Sequence, residues 1–423
     1  MIDLVDFRSR AGDYAEACRK KRINFDVEAF LSLDEKRREQ LKVTEELRAR
    51  QNQLGKDMPK LSGEEKEKLK DELKLISAEY KKAEQELETM TGEWSRLQLF
   101  IPSIPLAEVP EGRDDSENVE IRRVGTPPDF SFKPKDHVEI GERLKLFDIE
   151  RGVKIAGSRN YYLLGLGARL HHAVLSYAID FISSRGYTLF DPPHIVATKA
   201  MTGTGYFPGG EESAYHLDER DSDYHLIGTS EVPVAAYHLD ETLCIDELPK
   251  RYAGYSPCYR REAGTYGKDT RGLYRVHQFY KVEQVVICRN DPEESRRFHN
   301  ELLKNAEDFF QTLELPYRIV AVCSGDMGQG QVFKHDIETW MPSRGAYSET
   351  HSCSTLHDFQ ARRLNLRYKE GDSKPLFCHT LNNTLVASPR VLIPLLENHQ
   401  EESGSVRIPE VLRPYLGGIT HLK

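Results

Sequence analysis

A run of apolar residues spaced alternately four and three apart constrains the fold of this chain more than any other feature. The spacing puts one side chain on the same helix face every half heptad, which predicts a long helix paired in a coiled coil. At 1.5 Å per residue, such a helix would reach about 50 Å. The ten residues of the run are Leu69, Leu73, Ile76, Tyr80, Ala83, Leu87, Met90, Trp94, Leu97 and Ile101.

A looser apolar series precedes this run, and a helix-breaking segment separates the two. Pro59 and Gly63 break helices, and Ser62 with Glu65 predicts a capping box at the start of the second helix. Two helices joined by a short turn predict an antiparallel hairpin over residues 33–100. Periodicity alone favours a purely structural or dimerising coiled coil. The looser series consists of Leu33, Val43, Leu47, Leu54 and Leu61.

Charge and cysteine usage exclude several classes of protein. The net charge of -9 argues against a general nucleic-acid coat, and residues 1–100 are nearly neutral, with 21 Lys and Arg against 22 Asp and Glu. The seven cysteines form no Cys-x-x-Cys pair, so we expect no disulfide framework and no cysteine zinc site. No secretory signal opens the chain, and no apolar run approaches the roughly 18 residues of a membrane helix. These features predict a cytoplasmic protein without membrane contact.

The hairpin is followed by a linker and then by a region of mixed helix and strand signals. Prolines, a glycine and acidic residues over 102–117 predict the linker. Beyond it, apolar residues at helical spacing between Leu170 and Phe181 predict a helix, which Gly186 ends before a short strand with Pro192-Pro193. We therefore predict a helical domain over 1–101, a linker over 102–117 and a second domain over 118–423.

The densest cluster of chemically useful residues lies between Tyr259 and Glu283. It predicts a strand, a Gly-rich loop and a second strand. Period-2 geometry would put Arg260 and Glu262 on one face of the first strand, and alternate residues of the second strand on one face. Arginine binds phosphate, phenylalanine offers a stacking surface and a carboxylate accepts from an amine, so this face could hold a nucleotide. A solvated face with ion pairs explains the pattern equally well. The second-strand residues are Arg275, His277, Phe279, Lys281 and Glu283, with Val276, Tyr280 and Val282 on the other face.

This stretch resembles motif 2 of the class II aminoacyl-tRNA synthetases in its seryl form, R-x-E-A-G, a Gly-rich loop and R-V-H-Q-F-x-K-V-E, with every position filled. Four further segments resemble the same family, and with the N-terminal hairpin they extend the resemblance over essentially the whole chain. The segments are the T-x-E loop at Thr229-Ser230-Glu231, Glu349 to Ser354 with Asp358-Phe359-Gln360-Ala361-Arg362-Arg363, a motif 3 from Leu381 through Arg390 to Gln400, and a motif 1 at the Leu170–Phe181 helix and the Pro192-Pro193 strand.

The resemblance implies an α+β fold: a class II catalytic domain, with an antiparallel sheet flanked by helices, preceded by an all-α antiparallel coiled-coil arm. It implies a ligase that activates L-serine with ATP to seryl-adenylate and transfers the seryl group to the 3′ end of tRNA(Ser), and also of tRNA(Sec). The implied partners are serine, ATP with Mg²⁺, a tRNA held by the arm, and a second copy of the chain in a homodimer.

The family roles, carried onto the matching positions, define an expected site. Arg260, Arg275 and Arg390 would be catalytic: Arg260 bridges the α-phosphate and the substrate carboxylate, Arg275 binds the phosphate tail, and Arg390 meets the γ-phosphate and sandwiches the adenine with Phe279. Glu262 would meet the adenine amine, and Glu349 with Ser352 would hold Mg²⁺. Thr229 and Glu231 would take the serine ammonium, and Glu283 with Thr384 or Asn382 its hydroxyl. The other expected ATP contacts are Arg261, Val276, His277, Gln278, Thr350 and His351.

Some positions depart from the family pattern, and two other readings remain open. Ser388-Pro389 replaces the usual glycine before the motif 3 arginine, Asn383-Thr384-Leu385 replaces a commoner Gly-Ser-Gly, and His351 replaces serine. One alternative is a seryl-like paralogue in antibiotic self-protection or in loading serine onto a carrier, against which the retained arm argues. The other is a non-catalytic RNA-binding protein built on the synthetase fold, against which the full set of charged site residues argues.

Overall fold

A computed structural model describes residues 1–217, 220, 223–263 and 271–423. The predicted Gly-rich loop at 264–270 lies outside the described residues. The chain separates into two compact units, Met1–Pro102 and Ser103–Lys423. No helix of the described residues is both long enough and apolar enough to cross a membrane.

The first unit is entirely helical. Its helices are α1 (Leu4–Ser9), α2 (Ala11–Lys20), α3 (Val27–Asp57) and α4 (Glu64–Gln98), with a 3₁₀ turn at Met58–Lys60 between the last two. Helices α3 and α4 form the predicted antiparallel hairpin: Gln40 donates to the carbonyl of Ala83 at 3.1 Å, and Gln51 to the hydroxyl of Ser77 at 2.9 Å. All ten residues of the heptad run are buried or half-buried.

Two details of the hairpin differ from the sequence prediction. Gly63, with a φ of 62°, is the N-cap of α4, and no side chain caps this end, so the predicted capping box of Ser62 and Glu65 is wrong. On α3, Val43 is 45% exposed while the neighbouring Thr44 is buried. The facing surface of α3 is therefore partly polar, which explains why its apolar series is weak in the sequence.

A buried polar network closes the base of the hairpin. Asp34, 2% exposed, accepts from the Trp94 indole at 3.0 Å and from the Arg8 guanidinium at 2.8 Å. Phe30 stacks against Trp94 with ring centroids 6.2 Å apart. These contacts join α1, α3 and α4 at the end of the hairpin away from its turn.

The second unit is built on an eight-stranded sheet of order β1-β11-β12-β13-β16-β10-β9-β4, antiparallel except between β4 and β9. This agrees with the predicted α+β fold. The helices are α5 (His137–Arg143), α6 (Ile149–Ala156), α7 (Gly165–Ser183), α8 (Thr198–Thr204), α9 (Glu231–Ala235), α10 (Pro292–Thr312), α11 (Phe359–Leu364) and α12 (Leu392–Asn398). The strands are β1 (Val119–Val124), β2 (Phe147–Asp148), β3 (Tyr162–Leu163), β4 (Thr188–Phe190), β5 (Ile195–Ala197), β6 (Tyr215–His216), β7 (Tyr224–Leu226), β8 (Thr242–Cys244), β9 (Lys250–Tyr259), β10 (Gln278–Cys288), β11 (Tyr317–Ala321), β12 (Phe333–Met341), β13 (Ala346–His357), β14 (Arg367–Lys369), β15 (Leu376–Phe377), β16 (His379–Ser388), β17 (Val406–Arg407) and β18 (His421–Leu422).

One face of the large sheet is covered by α10, and the other is left for the site. Apolar residues of α10 join Val282 and Val286 of β10 in the main core. Gln284 donates to the carbonyl of Leu302 in α10 at 3.2 Å, so the even-numbered residues of β10 face this helix. Because successive strand residues point to opposite faces, Phe279, Lys281 and Glu283 lie on the open face.

Candidate active site

A cavity of about 340 Å³ lies on the open face of the sheet. Its floor comes from β10, β13 and β16, and its walls come from segments that follow α8 and precede β12. Of the residues expected to bind serine or ATP, the following line it: Glu231, Arg260, Glu262, Val276, Phe279, Glu283, Glu349, Thr350, Ser352, Asn382, Thr384 and Arg390.

Two β-bulges bring the floor residues onto one face. Glu349 pairs with Glu338 and His351 with Ile337, so Thr350 is an extra residue in β13. Glu349 and Ser352 are three apart and would point to opposite faces of a regular strand, but the bulge returns both to the cavity. A second bulge at Leu385 acts in the same way between Thr384 and Ala387 of β16.

Glu231 defines one end of the cavity. It is 8% exposed, and its Oε1 accepts from Gln360 Nε2 and Asn382 Nδ2, both at 2.8 Å. Its Oε2 accepts from the Tyr206 hydroxyl at 3.1 Å. Burial, reinforced by the negative charge of Glu283, raises the pKa of Glu231 to about 7. A cation arriving at this end would relieve that unfavourable burial.

Glu283 provides a second buried carboxylate beside the first. Lys281 Nζ lies 2.5 Å from its Oε2, and the Thr384 hydroxyl donates to the same oxygen at 3.2 Å. The side chains of Lys281 and Glu283 are 7% and 2% exposed. This end of the cavity can therefore hold a small molecule that carries an ammonium group and a hydroxyl.

Arginine side chains line or flank the cavity beyond these carboxylates. The Arg260 guanidinium lies over the Phe279 ring, 5.2 Å from its centroid, and donates to the carbonyl of Gly228 at 3.2 Å. Arg275 pairs with Glu262 at 3.5 Å. Strand β9 ends at Tyr259, and Glu262 has a φ of 52°, so Arg260 and Glu262 reach the cavity from irregular backbone beyond the strand. The prediction that they share a strand face is wrong, although both line the cavity.

Arg390 is held against the floor by an aromatic ring and two carbonyls. Its guanidinium lies 4.5 Å from the centroid of Tyr274 and donates to the carbonyls of Tyr274 at 3.2 Å and Glu349 at 3.3 Å. The Tyr274 hydroxyl also donates to the carbonyl of Glu349, at 3.0 Å. These contacts preorganise one positive charge at the mouth of the cavity.

Glu349 is suited to a divalent cation. Its side chain is exposed to the cavity, and partial desolvation by the surrounding protein works against its ionisation, but the positive charges of Arg390, Lys334 and Arg260 outweigh that effect and lower the pKa of its carboxyl. Ser352 lines the cavity beside it, and Asp336, the strand partner of Ser352, is buried with Oδ1 lacking a hydrogen-bond partner in the described part of the chain. Mg²⁺ takes oxygen ligands from one or two carboxylates together with substrate phosphates. The residues present therefore fit the ion.

Six of the expected contact residues lie outside the cavity lining. Arg275 and His277 precede β10, which begins at Gln278, so the predicted alternation does not reach them, and Val276 lines the cavity instead. His351 is buried on the opposite face with its ring edge-on to Phe310, and burial lowers its pKa to about 3. Any contact of His351 with a nucleotide would have to come from its backbone. The others are Thr229, which is buried and accepts from the Glu231 amide, and the exposed Arg261 and Gln278.

The structure also brings in residues to which the sequence assigned no role. Lys281, Tyr206 and Tyr274 line the cavity, and Gln360 supports Glu231 from behind it. Lys281 could have been found, since it shares the face of Phe279 and Glu283 in the strand pattern. Tyr206 carried no sequence signal, because its distance of 25 residues from Glu231 is bridged only in the fold.

Comparisons with known proteins show which family the chain belongs to. The model of the seryl-tRNA synthetase N-terminal domain matches residues 1–105, and that of the class II tRNA synthetase core domain (G, H, P, S and T) matches residues 214–399. Serine–tRNA ligases of Deinococcus radiodurans and Caldicellulosiruptor saccharolyticus are 46% and 49% identical to the chain, covering 99% of it and 98% and 99% of their own lengths. The crystal structure of seryl-tRNA synthetase from Pyrococcus horikoshii complexed with ATP is 36% identical and superposes with a TM-score of 0.92 over 100% of this chain and 99% of that one. The chain therefore belongs to the serine–tRNA ligase family, the seryl members of the class II aminoacyl-tRNA synthetases.

Proposed function

We propose that this chain ligates serine to tRNA in two steps within the described cavity. The observation that carries the proposal is the pair of buried carboxylates, Glu231 and Glu283, that line one cavity together with Arg260. A zwitterionic amino acid with a hydroxyl group matches this arrangement: ammonium to Glu231, carboxylate to Arg260 and hydroxyl to Glu283. Bound alanine would leave the partners of the serine hydroxyl without a hydrogen bond, so the site should select strongly against alanine.

In the first step, a carboxylate oxygen of serine attacks the α-phosphorus of ATP, and the bond to the pyrophosphate oxygen breaks. In-line displacement at phosphorus needs positioning and charge neutralisation more than a protein nucleophile. Arg260 would hold the attacking carboxylate and the α-phosphate, while Arg390 and Arg275 would bind the phosphate tail. Glu262 would accept from the adenine amine, beside Phe279. Glu349 and Ser352 would hold Mg²⁺, which supplies charge neutralisation to the phosphates when bound.

In the second step, a hydroxyl of the terminal ribose attacks the seryl carbonyl, and AMP leaves. The tRNA would be held by the α3–α4 hairpin, which we assign to a tRNA-binding domain over 1–101, with a linker over 102–117 and a catalytic domain over 118–423. The tRNA substrates would be tRNA(Ser) and tRNA(Sec). Exposed basic residues on the hairpin support this role, since contacts to phosphate dominate RNA affinity.

We also propose that the protein acts as a cytoplasmic homodimer. Leu189 and Ile195, on either side of Pro192-Pro193 in the segment that resembles motif 1, are 44% and 51% exposed, so this segment offers apolar surface to a second copy of the chain. All seven cysteines are free thiols, which suits a reducing compartment. Analytical ultracentrifugation of the wild type and of a Leu189→Lys, Ile195→Lys variant tests the dimer.

ATP–pyrophosphate exchange with each standard amino acid tests the proposed activity. Serine should support strong exchange, and threonine and alanine far weaker exchange. A preference for another amino acid would refute the assignment of specificity, and no exchange at all would favour a non-catalytic RNA-binding protein. Charging of tRNA(Ser) and tRNA(Sec) transcripts then separates a synthetase from a paralogue that only activates serine.

A further inference from the structure

Gln360 is a fully buried amide behind the cavity, 1% exposed in α11, with a partner at both of its polar atoms. Its Nε2 donates to Oε1 of Glu231 at 2.8 Å and to the carbonyl of Thr204 at 2.9 Å. Its Oε1 accepts from the Thr380 hydroxyl at 2.8 Å. The side chain therefore links strand β16, the end of α8 and the carboxylate of Glu231.

The orientation of this amide is fixed by its neighbours. The carbonyl of Thr204 can only accept a hydrogen bond, so the amide nitrogen must face it. That orientation leaves Oε1 of Gln360 toward Thr380, whose hydroxyl can donate. A flipped amide would set two acceptors against each other on the Thr204 side, so the second N–H necessarily points at Glu231.

The two oxygens of Glu231 consequently differ. Among the described residues, Oε1 receives N–H groups from Gln360 and Asn382, while Oε2 receives one hydroxyl, from Tyr206. Burial, and then the charge of Glu231, raise the pKa of the Tyr206 phenol, so Tyr206 stays protonated and donates. A carboxylate oxygen has room for two donors, which leaves an accepting site at Oε2.

We propose that Gln360, oriented by Thr380, is a positioning residue that anchors Oε1 of Glu231 and presents Oε2 to the ammonium group of the amino-acid substrate. The inference rests on the proposed function, and it adds two buried residues that do not touch substrate. Because Gln360 donates to the ionised form of Glu231, it also favours the charge that an ammonium group needs.

The charges around Glu231 set the effect of losing this anchor. Burial and Glu283 raise the pKa of Glu231, whereas the Gln360 hydrogen bond, the charge of Lys281 and the Tyr206 hydroxyl oppose the rise. Removing the Gln360 donor should therefore raise this pKa further and shift the acidic limb of serine binding to higher pH.

Gln360 has a second contact, to the end of α8, that could make it merely structural. Arg363 holds the same segment independently, because its guanidinium donates to the carbonyls of Thr202 at 3.0 Å and Phe207 at 2.9 Å. Loss of the Gln360 contact alone should therefore leave the segment in place.

Serine-dependent exchange in Gln360→Met, Thr380→Val and Thr380→Ser enzymes tests the proposal. We expect Gln360→Met to raise KM for serine about tenfold to a hundredfold, as for the loss of a hydrogen bond to a charged group, with KM for ATP nearly unchanged. As pH is raised, the KM for serine of this variant should also begin to fall at a higher pH than that of the wild type. Thr380→Val should act in the same direction, while Thr380→Ser, which keeps the hydroxyl, should match the wild type.

Equal changes in both KM values, or no change in folded Gln360→Met and Thr380→Val, would overturn the positioning role. If Gln360→Met does not fold, the comparison of Thr380→Val with Thr380→Ser decides. A wild type without serine-dependent exchange would refute the proposed function itself, so the two failures are distinguishable.

Discussion

Lys281 and Glu283 form an ion pair inside the cavity, with Lys281 Nζ 2.5 Å from Glu283 Oε2 and both side chains more than nine-tenths buried. Removing one partner of a buried pair leaves an uncompensated charge, which typically costs about 3–5 kcal/mol. We expect Lys281→Met to lower the free energy of unfolding by about that amount in urea titrations. The double variant Lys281→Met, Glu283→Gln should regain most of the stability, yet keep a raised KM for serine. Unchanged stability in the single variant would contradict this account of the pair.

Glu231 makes serine binding depend on pH. Folding raises its pKa from the ordinary 4.5 to about 7, so the folded state holds the proton more tightly. The free energy of unfolding therefore falls as pH rises from about 4.5 to about 7, because the buried carboxyl loses its proton. An ammonium group bound to the ionised carboxylate offsets that loss of stability. We expect serine to bind about tenfold more tightly at pH 8 than at pH 6, measured by calorimetry. In Glu231→Gln, binding should be weak and nearly independent of pH.

Arg260 should be essential for adenylate formation, because it places positive charge beside Phe279 in the cavity. Losing one preorganised group of this kind typically costs about 3 kcal/mol, or roughly a hundredfold in rate. Arg260→Ala should show that loss in pyrophosphate exchange. Arg261→Ala is the matched control, since Arg261 is exposed and does not line the cavity. A comparable loss of exchange rate in Arg261→Ala would show that Arg261 also contacts ATP.

Arg390 and Arg344 both lie over Tyr274, with guanidinium carbons 4.5 Å and 4.1 Å from the ring centroid, but only Arg390 lines the cavity. We expect Arg390→Ala to raise KM for ATP and lower the exchange rate by about a hundredfold in kcat/KM. Arg344→Ala removes the same kind of ring contact and should have a much smaller effect. Similar losses of kcat/KM in both variants would mean that Arg390 acts by packing against Tyr274 and not by contacting a phosphate.

The helical hairpin should serve tRNA charging and not adenylation, because every described residue that lines the cavity belongs to the second unit. Replacing residues 44–81 by a short Gly-Ser turn keeps the Asp34, Phe30 and Trp94 contacts at the hairpin base. We expect serine-dependent exchange to stay nearly intact and tRNA charging to be lost. If a folded variant charged tRNA at the full rate, the hairpin would be only a structural coiled coil.

Point variants test the same role with less disturbance. We expect four exposed basic residues of the hairpin to contact tRNA. They are Lys42, Arg50, Lys56 and Lys60. Arg50 already pairs with Glu72 and Lys60 with Asp57, each at 2.7 Å. Lys42→Ala and Lys56→Ala should therefore raise KM for tRNA more than changes at the paired residues, and the dependence of that KM on salt should become weaker.

Strand periodicity predicted part of the site well. Phe279, Lys281 and Glu283 fall on one face because β10 is regular there. The same rule failed for Arg275 and His277, since the regular strand starts only at Gln278. A period-2 argument depends on where a strand begins, and tertiary pairing sets that point.

The contacts that support the site were beyond the reach of sequence reasoning. Gln360 lies 129 residues from Glu231, and nothing in the local pattern ties the two together. The predicted cap of α4 was wrong for a different reason: the helix begins after Gly63, whose φ is 62°, so Ser62 lies outside the helix end. The hairpin itself could be predicted, because a heptad repeat is a local signal that needs no distant partner.

The extra residue at Thr350 means that the site depends on the spacing of residues along β13 as well as on their type. Deletion of this single residue would leave Glu349 and Ser352 two apart, and a regular strand would then keep both side chains on the cavity side of the sheet. The two side chains would point to opposite faces only if the strand kept all its residues and lost the bulge. In this part of the molecule, a one-residue gap in an alignment at Thr350 would be compatible with the site, whereas a substitution of Glu349 or Ser352 would remove one of its groups.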